Sequence, residues 1–207
     1  MRRLTFRPAL TLRGRKFKGL RGYAGKPFHP PLTDVPITAY LFAAVFDVLS
    51  VALHSSHHVV ARQLYVAGTW TLLGGAAVSL LAALTGWADW RRSSEPGTQA
   101  RRTINAHAVT MLTVTAIVLV DLAIRGLAQQ DRFYTSPGVM VLSIVAALLV
   151  SMGATLGGSL VYDYGFNVET AGDHPVWHKS EVDVMPGHAP TSPEMADQLP
   201  ESPVAEQ

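Results

Sequence analysis

GVMVLSIVAALLVSMGATLGGSLVY, the stretch from Gly138 to Tyr162, decides the architecture of this chain: 25 consecutive positions without one Asp, Glu, Lys or Arg. About 20 apolar residues at 1.5 Å rise cover the ~30 Å hydrocarbon core of a bilayer. Three further stretches have the same character, Val35–Leu53, Leu64–Ala88 and Ile104–Ile124. The Leu64–Ala88 stretch is also free of formal charge, Asp47 interrupts Val35–Leu53, and Asp121 lies near the end of Ile104–Ile124. In hydrocarbon each backbone amide must find its partner within its own segment, so all four spans are expected as α-helices. The expected fold is an all-α integral membrane four-helix bundle over residues 27–168, between a disordered basic head (1–26) and a disordered acidic tail (169–207).

Composition agrees with one bundle plus tails. Of the 207 residues, 48% are hydrophobic and 15% charged, against about a quarter charged in soluble domains. The chain has no cysteine, which excludes disulfides, thiolate metal sites, iron–sulfur ligation and c-type haem attachment. A redox cofactor would have to be held by histidine, methionine or carboxylate. The net charge of +2 conceals an asymmetry: residues 1–26 hold nine basic side chains and no acid, whereas residues 166–207 hold eight acids and the single base Lys179. Both ends are rich in Pro, Gly and small polar residues, the composition of disordered tails.

The basic, Pro/Gly-containing head does not have the layout of a cleavable signal peptide, so the first membrane helix is expected to direct insertion. Four spans place the head, the 89–103 connection and the tail on one face. The head and Arg91, Arg92, Arg101 and Arg102 give that face thirteen basic residues, against Arg62, Arg125 and Arg132 opposite. The positive-inside rule then puts both termini in the cytoplasm. The head favours anionic lipid by about 1 kcal/mol per Lys or Arg near the surface. Nucleic-acid binding is not expected, because the head lacks a folded reading surface.

Pro27, Pro30 and Pro31 predict an extended, stiff approach to helix 1, with Pro36 in its first turn and Thr33 or Asp34 as cap. Gly74, Gly75 and Ser79 in helix 2, and Gly153, Gly157 and Gly158 in helix 4, predict close backbone packing; the same gap would also admit a flat cofactor. Trp87, Trp90, Tyr162, Tyr164 and Phe166 suit an aromatic belt on the cytoplasmic side. There is no internal repeat and no broken-helix pair of the transporter kind.

Polar residues gather at both ends of the spans. On the cytoplasmic side His29, Asp34, Asp89, Asn105, His107, Tyr162 and Asp163 come from four helix ends. His29 and His107, from different helices at comparable depth, have the placement that bis-histidine ligation of one haem requires. In the alternative His29 is merely interfacial and His107 bonds a carboxylate such as Asp89 or Asp34. At the opposite face Asp47, His54 and His58 fall within about 20° of one helical stripe at 100° per residue. If helix 1 continues that far, His54 and His58 form a zinc or copper chelate; the alternative is simple solvation. Asp121 and Arg125, one turn apart, are expected to pair. Asp47 is the costlier residue, at ~2.5–3.5 kcal/mol for a charge at mid-bilayer on insertion scales, so it should face the bundle interior. Its expected donors are Thr69, Trp70 or Thr71 of helix 2, or a proton of its own.

Taken in order, His29-Pro-Pro-Leu-Thr-Asp-Val-Pro-Ile37, Asp47, Gly86-Trp-Ala-Asp89, Asn105-Ala-His107 and Gly157-Gly-Ser-Leu-Val-Tyr162 with Gly165 resemble an uncharacterised family of bacterial four-helix membrane proteins, domain of unknown function twenty-two thirty-one. The resemblance spans about residues 29–168. It implies a four-helix module of the bacterial inner membrane without an assigned function, in redox surroundings that include Rieske or cytochrome partners. Many members of the family carry a second histidine where this chain has Asp34, which leaves His29 as the candidate ligand at the helix-1 entry.

Three functions are therefore weighed. The first is a b-type cytochrome-like electron-transfer subunit. Its haem b would sit between His29 and His107, with Gly157 and Gly158 giving clearance and Arg101 or Arg102 pairing the propionates. The second is a non-catalytic scaffold that docks a redox partner through its tails, with a homo-oligomer left open. The third, ranked lowest, moves protons or ions by way of Asp47, Asp121 and His54. Hydrolytic chemistry has no motif to support it.

Overall fold

A computed structural model describes residues 19–20 and 27–168; the expectations for the rest of the head and for the acidic tail lie outside the described residues. Four α-helices follow in order, α1 (His29–Leu53), α2 (His58–Ser93), α3 (Gln99–Ala128) and α4 (Pro137–Tyr162). All four are long and apolar enough to cross a membrane. With 36 residues α2 is the longest, and at 1.5 Å per residue it reaches well past a ~30 Å hydrocarbon layer.

The helices begin earlier than hydropathy alone predicts, most visibly α1. It starts at His29 rather than Val35, carries Pro30 and Pro31 in its first turn, and contains the buried Pro36 in its interior. The first four amides of a helix have no intrahelical acceptor, so prolines there cost no hydrogen bond. The stiff approach expected over Pro30–Pro31 is thus helix. No side chain caps α1, and Thr33 donates to the Pro30 carbonyl at 2.7 Å instead. At the start of α3, Thr98 accepts the Arg101 amide at 3.1 Å, a conventional cap. The chain leaves α4 through Gly165, whose φ of +57° is one that favours glycine.

The helices run alternately up and down, so the start of α1 and the end of α4 share one end of the bundle, called here the terminal end. The α1–α2 and α3–α4 connections form the loop end. Each helix packs on two neighbours: α1 and α3 stand diagonally, as do α2 and α4, with α1–α2 and α3–α4 the closest pairs. Tyr40, Ala43, Leu72, Ala76, Val114, Val118, Ala146 and Val150 form the buried centre. Leu84, Val109 and Leu148 are exposed on the outside, where lipid is the matching solvent.

Small residues set the close pairs, as expected for association driven by packing. A Cβ on Gly75 would lie 2.7 Å from the Ala39 Cβ and 2.9 Å from the Tyr40 ring. Gly74, its neighbour in sequence, faces open space. On α4, Gly153 receives the Met111 side chain of α3.

Candidate functional site

The bundle interior holds two polar centres, one at each end. At the loop end three charged residues meet in the apolar core. Arg125 of α3 is 2% exposed, Asp47 of α1 is 0% and Asp121 of α3 is 1%. The Arg125 Nε donates to Asp121 Oδ1 at 2.6 Å, the one-turn pair that the spacing predicts. Its Nη2 donates to Asp47 Oδ2 at 2.5 Å, across 78 positions of sequence. Nη1 donates to Thr69 Oγ1 at 3.2 Å, and the Tyr65 ring lies 5.3 Å from the guanidinium carbon. Thr135 Oγ1 donates to Asp47 Oδ1 at 2.8 Å, and Ser143 of α4 bonds Asp47 Oδ2.

This centre revises the expectation for Asp47. Thr69 donates to the Tyr65 carbonyl and Trp70 is 68% exposed, so the carboxylate's partners are Arg125, Thr135 and Ser143. Sequence reasoning passed over Thr135 and Ser143. The available signals were a serine in the first half of span 4 and a lone arginine near the end of span 3, at the depth of Asp47. The 129–136 connection is clamped over the centre. Tyr65 Oη donates to the Gln129 carbonyl at 2.9 Å, the Thr135 amide donates to Ser50 Oγ at 3.0 Å, and Arg62 reaches the Gln130 and Arg132 carbonyls.

His54 and His58 do not share a stripe, because α1 ends at Leu53 and α2 begins at His58. The His54 ring stacks on Tyr134 at 4.3 Å between centroids, and its Nδ1 donates to the Val51 carbonyl at 2.5 Å. The continued helix that a two-histidine chelate needs is therefore not formed. Among the described residues no group of three or more His, Cys, Asp or Glu side chains is arranged to hold a metal ion.

At the terminal end two histidines enter the interior from diagonal helices. His29 of α1 lies against α2: its Nδ1 is 2.9 Å from the Ala82 carbonyl and 3.2 Å from Thr85 Oγ1, and its ring fills the notch at Gly86. His107 of α3 lies against α4: its Nδ1 is 2.8 Å from the Gly153 carbonyl, and its ring fills the notch at Gly157. A carbonyl can only accept, so both Nδ1 atoms carry a proton, and in the neutral imidazole this leaves the lone pair on Nε2. The Ser79–Thr115 and Trp90–Asn105 bonds, both 2.8 Å, fix the antiparallel register of α2 and α3. That register sets Gly86, and with it His29, level with His107 to within a turn.

The other terminal-end residues are placed as follows. Gly157 accommodates the His107 ring itself, while the nearest atom to a Cβ on Gly158 belongs to Tyr162 of the same helix, at 4.0 Å. Arg101 lies 3.9 Å above the Trp90 ring and donates to Ser94, tying α3 to the end of α2. Asn105 accepts from Trp90, and Tyr162 is 87% exposed, as is Trp87 at 55%. Asp34 is exposed and borders a groove of about 590 Å³ between α1 and α2, lined also by Phe42, Phe46 and Thr71. Asp89 is buried and accepts the Leu20 amide at 3.1 Å, while the Phe28 amide donates to the Leu20 carbonyl at 3.1 Å. Leu20, in the stretch expected to be disordered, is thus held by both of its backbone groups. Neither Asp34 nor Asp89 accepts from His107, whose partner is a backbone carbonyl.

A haem iron asks for two imidazole Nε2 lone pairs from opposite sides, each ring oriented by a hydrogen bond from its other nitrogen. His29 and His107 share two features with such ligands: each ring is oriented by a hydrogen bond at Nδ1, and the two belong to different helices.

Fold and centres together define a multi-pass membrane protein with a buried polar centre at one end of a four-helix bundle and a half-buried one at the other. The chain belongs to the family described as Predicted membrane protein (DUF2231), whose model matches residues 25–170. No curated protein and no solved structure matches it.

Proposed function

We propose that this chain is an electron-transfer subunit of the bacterial inner membrane that holds a haem b between His29 and His107, with both termini cytoplasmic. One observation carries this reading: two histidines from diagonal helices lie within about a turn of one level, each with Nδ1–H on a backbone carbonyl and with no partner for Nε2 among the described residues. The bond to a carbonyl fixes tautomer and ring orientation and raises the basicity of the free nitrogen. Bound there, the haem would supply one-electron redox chemistry. The chain's own part is to hold the two imidazoles, exclude water through the surrounding apolar helices, and set the depth of the centre. The Lys/Arg asymmetry supports the orientation, which brings the histidine level near the cytoplasmic surface. A Rieske or cytochrome protein is the exchange partner that the family resemblance implies.

The test is an absorption spectrum of the detergent-solubilised protein, oxidised and dithionite-reduced, after expression with ample haem. Soret and α bands are expected. His29→Ala and His107→Ala should each abolish them, and His54→Ala should not. A preparation without Soret absorbance overturns the proposal.

A further inference from the structure

The loop-end centre contains two carboxylates and one guanidinium, all at most 2% exposed, inside a bundle whose surroundings are hydrocarbon. Ionised throughout, it would carry one uncompensated negative charge, which such an environment tolerates poorly. The hydrogen bonds show the same deficit at a single atom. Asp47 receives donors on both oxygens, and Asp121 Oδ1 receives the Arg125 Nε. Among the described residues Asp121 Oδ2 has only Ser143 Oγ beside it, at 3.2 Å. That hydroxyl also bonds Asp47 Oδ2 and stands 3.0 Å from the Val139 carbonyl. It owns one hydrogen and cannot donate to all three. With the hydrogen given to Asp47, its closest neighbour, an ionised Asp121 Oδ2 is a buried charged oxygen without a donor.

We infer that the Asp47–Arg125–Asp121 centre is a one-proton binding site, the proton residing on Asp121 Oδ2 and donated to Ser143, whose hydroxyl donates in turn to Asp47. One bound proton removes both deficits: Asp47 balances Arg125, and every oxygen of the two carboxyl groups has a partner. The groups facing the centre from each element are Asp47 on α1, Tyr65 on α2, Asp121 and Arg125 on α3, and the uncharged Ser143 and Thr135 from α4 and the connection before it. Arg62, at the same end of α2, is turned to the carbonyls of the 129–136 connection. The site is separate from the histidine level and does not depend on the haem proposal.

The experiment is infrared spectroscopy of the full chain in lipid nanodiscs at pH 7, in H2O and D2O. The wild type minus Asp121→Asn difference should contain one protonated-carboxyl C=O band that shifts in D2O. Ser143→Ala should move this band by removing its hydrogen-bond acceptor. Asp34→Asn, at an exposed position, should leave it in place. A difference spectrum without that band overturns the inference. Thermal unfolding of the wild type at alkaline pH supplies a second readout that needs no variant. Loss of the bound proton should lower Tm equally in sodium and in choline buffers. A Tm restored by sodium alone would assign the site to a metal cation instead and would also overturn the inference.

Discussion

Replacing Arg125 with leucine removes the one cation from the loop-end centre and keeps an apolar volume in its place. The carboxylate that balanced the guanidinium then has no counter-charge in the bundle core, and the folded state must neutralise it by taking up a proton. Holding a group with an ordinary value of about 3.9 neutral at pH 7 costs roughly three units at 1.36 kcal/mol each, about 4 kcal/mol. That agrees with the 3–5 kcal/mol typical of breaking one side of a buried ion pair. The sign of the pH dependence follows from linkage. Relative to wild type, the folded variant binds about one proton more than its unfolded state, so its deficit shrinks as pH falls, by about 1.4 kcal/mol per unit. Chemical unfolding in mixed micelles, followed by circular dichroism at pH 7 and pH 5, reads both numbers. Combining Arg125→Leu with Asp47→Asn should recover more than half of the loss, since the stranded charge goes too. A loss below about 1 kcal/mol, with the pH slope of wild type, would refute the view that the guanidinium and the carboxylate balancing it form one desolvated unit.

Other perturbations separate packing from polar contacts. Gly75→Ala should destabilise by about 1–3 kcal/mol through overpacking against Ala39 and Tyr40, whereas Gly74→Ala, with open space before it, should gain up to about 1 kcal/mol of helix propensity. Unfolding midpoints of the two variants should therefore move in opposite directions. Ser79→Ala removes the α2–α3 bond to Thr115 and should cost about 0.6 kcal/mol, the usual size of an interhelical hydrogen bond in membranes, read in the same assay. Asp89→Ala frees the Leu20 amide, so limited proteolysis near residue 20 should accelerate while cutting within the four helices stays unchanged.

The chain's patterns are legible where the physics is local. Span length and lack of charge announce four helices, because hydrocarbon leaves a backbone no other partner than its own helix. The one-turn spacing of Asp121 and Arg125 announces their ion pair, because helix geometry alone brings them together. The entry to α1 is also a local matter, but there the general habit of proline misleads. Pro30 and Pro31 fall where the missing amide costs nothing, and the helix begins before them.

What the amino-acid order determined by itself is thus the membrane class, the number of spans and the pairs one turn apart. Tertiary structure alone decided which partners meet across the bundle: Asp47 with Arg125 rather than with helix 2, His107 with the Gly153 carbonyl rather than with a carboxylate, and His54 with Tyr134 rather than with His58. The reason is that hydropathy fixes how deep a residue lies but not the direction its helix faces. That rotation is set by which side chains fill the notches at Gly75, Gly86, Gly153 and Gly157, a property of two helices at once.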